Sequence, residues 1–249
     1  MTVVKICGLM DLDSALAALE VGADLLGFVF AAGRRQLRPE DAASLVRECR
    51  GRFPVIQRLW QAVGVFSNQP LEFVRQAAGE VGLDLVQLSG AEAAGYGRSL
   101  GVPFIRTFHM DCEGTGPAFC DGGSNSWERG RSTRTSLAGI LPTLPVEDFA
   151  AELRLYQAES GASRLLLDSG SPGRWGGTGE TFAWDGVAGA AGECLVAGGL
   201  SPYNVSRAIA TLHPWGVDVS SGVESAGRKD PELIRQFVME VKRNEHHIS

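Results

Sequence analysis

Residues 165–184 read LLLDSGSPGRWGGTGETFAW, and this stretch decides how the rest of the chain is interpreted. Three leucines close on a lone carboxylate, Asp168, and a glycine-rich loop follows. An apolar run ended by Asp and then glycines predicts a buried parallel strand whose carboxyl end opens into a loop. Carboxylates at such ends are where parallel sheets do chemistry, although Asp, Ser and Gly also start turns for local backbone reasons.

The same unit recurs on both sides of this stretch. Strand-like runs at 3–7, 25–30, 62–66, 85–88, 102–107, 165–168, 195–198 and 217–220 alternate with helix-like segments, including 12–20, 39–50, 70–81, 91–100, 182–190, 202–212 and 231–244. Strands alternating with helices build parallel sheets from βα units. Eight units in 249 residues predict a closed (β/α)8 TIM barrel, one domain spanning 1–249, with a doubly wound open sheet as the alternative. One segment breaks the rhythm. Residues 109–145, after strand five, are rich in Gly, Ser, Thr and Arg and nearly lack apolar periodicity, so they read as an exposed, flexible insertion, inert rather than a lid.

Bulk properties narrow the partners. A net charge of −6 argues against nucleic acid and anionic membrane and for a small molecule. No apolar run reaches 18 residues, and MTVVKICGLM goes straight into a strand, so the expectation is a cytoplasmic protein. Five cysteines, Cys7, Cys49, Cys112, Cys120 and Cys194, form neither an even framework nor a CxxC pair, which fits a reducing compartment.

In a barrel the strand ends share one mouth, bringing together Cys7, Arg34 and Arg35, the 87–90 segment, Asp168, Gly198 and Gly199, and Ser221 and Gly222. The glycine-rich loops after strands seven and eight let backbone N–H groups approach an anion, and phosphate at that place is a recurrent barrel device. Gly177 and its neighbours add further amides. Tight turns needing glycine explain any one of these loops but explain three on one rim less well. No Walker pattern or dinucleotide fingerprint is present, so no cofactor is expected. His109, Cys112 and Cys120 lack the spacing and the fourth ligand of a zinc site, so no metal is expected either. Cys7 has the base rate of a buried apolar residue; opposite Asp168 and near phosphate it reads instead as a base paired with an acid. A thiolate there needs a cationic or dipolar neighbour. Lys5 is read as pointing to the other face of the strand, leaving Arg35 or loop amides.

KICGL at 5–9, GADLLGFVF at 22–30, VGVF at 63–66, DLVQLSG at 84–90, LLLD at 165–168, GGTGETFAW at 176–184, VAGGLSPYNV at 196–205 and GVDVSSGVE at 216–224 together resemble the phosphoribosylanthranilate isomerase family. The resemblance covers 2–108 and 146–237 and leaves out the insertion. It implies a (β/α)8 barrel of tryptophan biosynthesis that catalyses an Amadori rearrangement of N-(5-phosphoribosyl)anthranilate without metal or cofactor, as a monomer or homodimer. By motif, Cys7 carries the family's general base and Asp168 its general acid. Arg35 would hold the anthranilate carboxylate, and amides near Gly177, Gly198, Gly199, Ser221 and Gly222 the phosphate. The chain departs from the pattern at Ser89, where the family has histidine in QLHG, at the short AAGRR loop, which leaves Arg34 or Arg35 as the carboxylate ligand, at Arg106, often lysine, and in the insertion. A phosphate-ligand-binding barrel without turnover and a histidine-pathway aminoaldose isomerase are the alternatives. Cys7, standing where the latter has aspartate, weighs against that one.

Overall fold

A computed structural model describes residues 1–52, 60–93, 95–110, 146–169 and 184–245. Its strands are β1 (Val3–Cys7), β2 (Leu25–Val29), β3 (Gln61–Phe66), β4 (Leu85–Leu88), β5 (Phe104–Met110), β6 (Arg164–Ser169), β7 (Cys194–Val196) and β8 (Gly216–Val219). Each is hydrogen-bonded in parallel to the next, and β8 returns to β1, closing the predicted barrel. The helices are α1 (Leu12–Glu20), α2 (Pro39–Arg52), α3 (Leu71–Val81), α4 (Val146–Ser160), α5 (Val205–Leu212) and α6 (Pro231–Glu245). A short antiparallel hairpin, β9 (Glu224–Ser225) with β10 (Arg228–Lys229), follows β8 and was not expected from the sequence.

Local chemistry sets the ends. Asp11 caps α1, its Oδ1 accepting the Ser14 N–H at 2.8 Å, a contact typically worth about 1 kcal/mol. Alternation along the strands then separates two cores. Outward residues such as Ile6, Leu26, Phe28 and Phe66 pack under the helices, while Leu25, Val63, Leu85, Ile105, Leu166 and Leu195 fill the barrel interior.

Three expectations are corrected. The described residues of 91–100 form no α-helix but a 3-10 turn at Gly97–Ser99: Gly95 and Gly97 weaken the helix, and the Gly97 backbone lies against the Phe104 ring. Of 182–190, the described part is a 3-10 turn at Trp184–Val187, in a segment interrupted by Gly186, Gly189 and Gly192. Strand five runs on to Met110, so His109 belongs to the barrel and not to the insertion. Residues 111–145, the rest of that segment, and 170–183, which include Gly177, lie outside the described residues. Among the described residues no helix is long and apolar enough to cross a membrane.

Candidate active site at the mouth of the barrel

A cavity of about 680 Å³ opens where the strands end. Cys7, Arg35, Asp168, Gly198, Gly199 and Ser221 all line it, so most of the residues singled out in the sequence meet in one place. Gly222 is not in the wall; its α-carbon sits tightly against the Leu200 carbonyl, where any side chain would collide. Gly198 and Gly199 have φ of 88° and 62°, and a side chain at Gly198 would strike Ser169. Backbone geometry alone therefore demands glycine at 198, and a β-branched residue at 199 would be strained.

The floor beside Cys7 is ionic. Strand register sets Lys5 opposite Asp218, and the buried Lys5 Nζ donates to Asp218 Oδ2 at 2.9 Å. Lys5 points inward with Cys7, contrary to the expectation, because residues two apart on a strand project to the same side. Asp218 also lines the cavity, and its buried Oδ1 has no hydrogen-bond partner among the described residues. Burial pushes the Cys7 thiol up; Lys5 and Lys229 pull it down and Asp218 pushes it further up. The thiol is thus the resting form near neutral pH. Burial also raises the Asp168 carboxyl, against the pull of His109 and Lys5 and with a further push from Asp218. Asp168 is accordingly shifted toward the protonated form that an acid needs.

His109 faces Asp168 directly across the β5 and β6 ladder, its Nδ1 3.8 Å from Oδ2. Its Nε2 lies 3.1 Å from the Ser89 carbonyl oxygen. Gln87 Nε2 donates to Ser89 Oγ at 3.0 Å, and Ser89 Oγ is 3.0 Å from Thr107 Oγ1. An imidazole therefore lines the mouth although position 89 is serine. Alternation through Ile105, Thr107 and His109 carries the signal for it, but His109 lies beyond residue 107, where the strand-like run in the sequence ends.

Arg35 crosses over Gly8, whose φ of 77° and absent side chain leave room for the Arg35 chain. Arg35 Nε donates to Glu224 Oε1 at 2.7 Å, and its buried Nη2 has no partner among the described residues. Arg34, by contrast, is 51% exposed and donates to Glu224 Oε2 at 2.5 Å and to the Gly227 carbonyl at 3.1 Å. Lys229 on β10 reaches Glu224 Oε1 at 3.3 Å and donates to the Ser220 carbonyl at 2.7 Å. Ser220 Oγ in turn donates to the Cys7 carbonyl at 3.2 Å. Burial opposes the charge on Glu224, but Arg35, Lys229 and Arg34 outweigh it and hold this carboxyl below its ordinary range. Burial brings Lys229 down to about 8 against the attraction of Glu224. Lys5, Asp218, Glu224, Lys229 and His109 had no assigned role in the sequence reading. Their grouping depends on register between distant strands and on the β9–β10 hairpin.

The chain and its fold have counterparts among known proteins. The family model described as N-(5'phosphoribosyl)anthranilate (PRA) isomerase matches residues 4–118 and 127–240. The N-(5'-phosphoribosyl)anthranilate isomerase of Citrifermentans bemidjiense is 39% identical over 250 residues, covering 98% of each chain. That of Geobacter sp. strain M21 is 40% identical over 247 residues, covering 98% of this chain and 99% of its own. The crystal structure of phosphoribosyl anthranilate isomerase from Thermotoga maritima matches with a TM-score of 0.72 at 30% identity, over 98% of this chain and all of that one. A phosphoribosyl anthranilate isomerase in complex with reduced 1-(o-carboxyphenylamino)-1-deoxyribulose 5-phosphate matches with a TM-score of 0.68 at 28% identity, over 98% of this chain and 100% of that one. On a family match covering most of its length and on relatives aligned from end to end, the chain belongs to the N-(5'-phosphoribosyl)anthranilate isomerase family.

Proposed function

We propose that this chain converts N-(5'-phosphoribosyl)anthranilate to 1-(2-carboxyphenylamino)-1-deoxyribulose 5-phosphate in tryptophan biosynthesis, with Asp168 as general acid and Cys7 as general base. The observation that carries the reading is that a carboxyl raised by burial and a thiol flanked by lysines share the wall of one cavity with Arg35. Asp168 protonates the furanose ring oxygen as the C1–O bond breaks and the nitrogen lone pair forms an open-chain iminium. The Cys7 thiolate removes the C2 proton; the C2–H electrons make the C1–C2 double bond of the enolamine and the iminium electrons return to nitrogen. Loss of the enol proton toward Asp168 and protonation at C1 from Cys7 give the ketone and restore both groups.

Arg35 takes the anthranilate carboxylate, since it is the more buried of the two arginines and its Nη2 is uncommitted among the described residues. Amides around Gly198, Gly199 and Ser221, joined by Gly222 and Gly177, hold the phosphate. The chain works as one domain over 1–249, in the cytoplasm and as a monomer or homodimer. Glu224 fixes Arg35, so Glu224→Gln is expected to raise KM about tenfold with kcat within about twofold, roughly 1.4 kcal/mol of binding shared by ground and transition states. Steady-state kinetics checks this, and an unchanged KM removes Glu224 from substrate binding. The whole reading is tested by mixing purified protein with phosphoribosylanthranilate and following the change in anthranilate fluorescence. No turnover at micromolar enzyme would leave a ligand-binding barrel.

A further inference from the structure

Proton abstraction by Cys7 requires a thiolate, and the residues around it determine whether one can exist. On its own strand, Lys5 is fully buried, bonds Asp218 and lies two residues from Cys7 on the same face, so that its charge favours the thiolate. On β8, Asp218 faces the same space, and on β10 Lys229 lies behind Ser220. On β2, Gly27 offers no side chain at all, and a carbon added there would sit 3.0 Å from the Cys7 sulfur. Asp168, His109 and Arg35 share the cavity wall. Among the cations, Arg35 is tied through Nε to Glu224, and Lys229 is held by Glu224 and the Ser220 carbonyl. Lys5 is different. Its ammonium carries three N–H donors, it is fully buried, and its ion-pair partner among the described residues is Asp218, which itself reaches the cavity, while Asp168 also feels its charge.

We propose that Lys5 is the cation that stabilises the Cys7 thiolate, and that Asp218 sets how strongly it does so. This rests on the reading of Cys7 as the base. Thiol at Cys7 with carboxylate at Asp168 holds as many protons as thiolate with carboxylic acid, so the working pair forms from the resting one by moving a single proton within the cavity. At Cys7, Lys5 favours the thiolate and Asp218 restrains it, while at Asp168 the same two charges act in the opposite sense, and the stronger effect of Lys5 falls on its strand neighbour Cys7. Lys5 is thus a positioning residue that acts through Cys7 and not on the substrate.

The experiment follows the pH dependence of Cys7 alkylation by iodoacetamide, read by mass spectrometry of the Cys7 peptide, with turnover measured in parallel. Asp218→Asn is expected to lower the inflection by about one pH unit and to speed alkylation at pH 7 roughly tenfold, because the restraint on Lys5 is gone. Lys5→Met is expected to raise the inflection by at least as much. Should that variant not fold, Lys5→Met with Asp218→Asn exchanges an ion pair for a neutral pair and keeps the comparison. Its inflection is expected to lie above that of Asp218→Asn. Inflections that do not move, that move the same way in Asp218→Asn and Lys5→Met, or a double-variant inflection at or below that of Asp218→Asn, overturn the proposal. Alkylation does not depend on turnover: a wild-type protein with no isomerase activity sinks the functional reading alone, whereas normal wild-type activity with unmoved inflections sinks only this one.

Discussion

Asp168→Asn is expected to lower kcat by roughly 10²–10⁴-fold, with KM within a few-fold, and to raise thermal stability at neutral pH. The two effects share one cause. Burial raises the folded-state pKa of this carboxyl, so between its unfolded value near 3.8 and the raised value the folded protein binds more protons than the unfolded chain. The stability of the wild type that comes from this group is therefore fully present below that window and is lost as pH rises through it. An amide has no charge to desolvate, so the advantage of Asn grows across the same window and levels off above it, gaining about 1.4 kcal/mol for every pH unit that the window spans. Near-normal turnover would remove Asp168 from proton transfer. Melting curves from pH 4 to 8 that show Asn losing ground as pH rises would show that the carboxylate is better solvated than its surroundings imply.

Cys7→Ala is expected to cost a similar 10²–10⁴-fold in kcat, and Cys7→Ser nearly as much, because a hydroxyl remains protonated where a thiol beside a buried ammonium can ionise. Substrate affinity should change little, since Arg35 and the loops after β7 and β8 carry the anionic groups in the proposed complex. Kinetics on the two variants beside their melting curves separates chemistry from packing. Cys7→Ala with normal kcat would reduce Cys7 to a small buried side chain sealing the space beside Gly27, and Asp168 would be left without its partner.

The barrel was legible because burial on both faces writes each strand as a compact apolar run. Val3–Cys7 and Leu85–Leu88 match their expected limits residue for residue. Helices were harder where glycine intervened: residues 91–100 pattern like a helix, but Gly97 is needed for contact with Phe104, and tertiary packing overrode periodicity. Within the site, residues carried by motif were readable, as Cys7 and Asp168 were. The partners that set their protonation were not. Lys5 meets Asp218 from 213 positions away and only through the closure of β8 on β1, a relation no local window contains. Lys5 itself needed only the count of two along a strand.

At its amino end the barrel is stoppered. The interior apolar layer is backed there by Val3 and Trp215, and the Arg164 guanidinium lies 4.6 Å from the centre of the Trp215 ring. Among the described residues the active site is thus a flask, closed below by this packing and open above where Cys7 and Asp218 line the cavity at the strand ends. In the proposed complex a seated substrate would cork that mouth, and the proton that Cys7 takes from C2 would be held in a closed vessel until it is returned at C1.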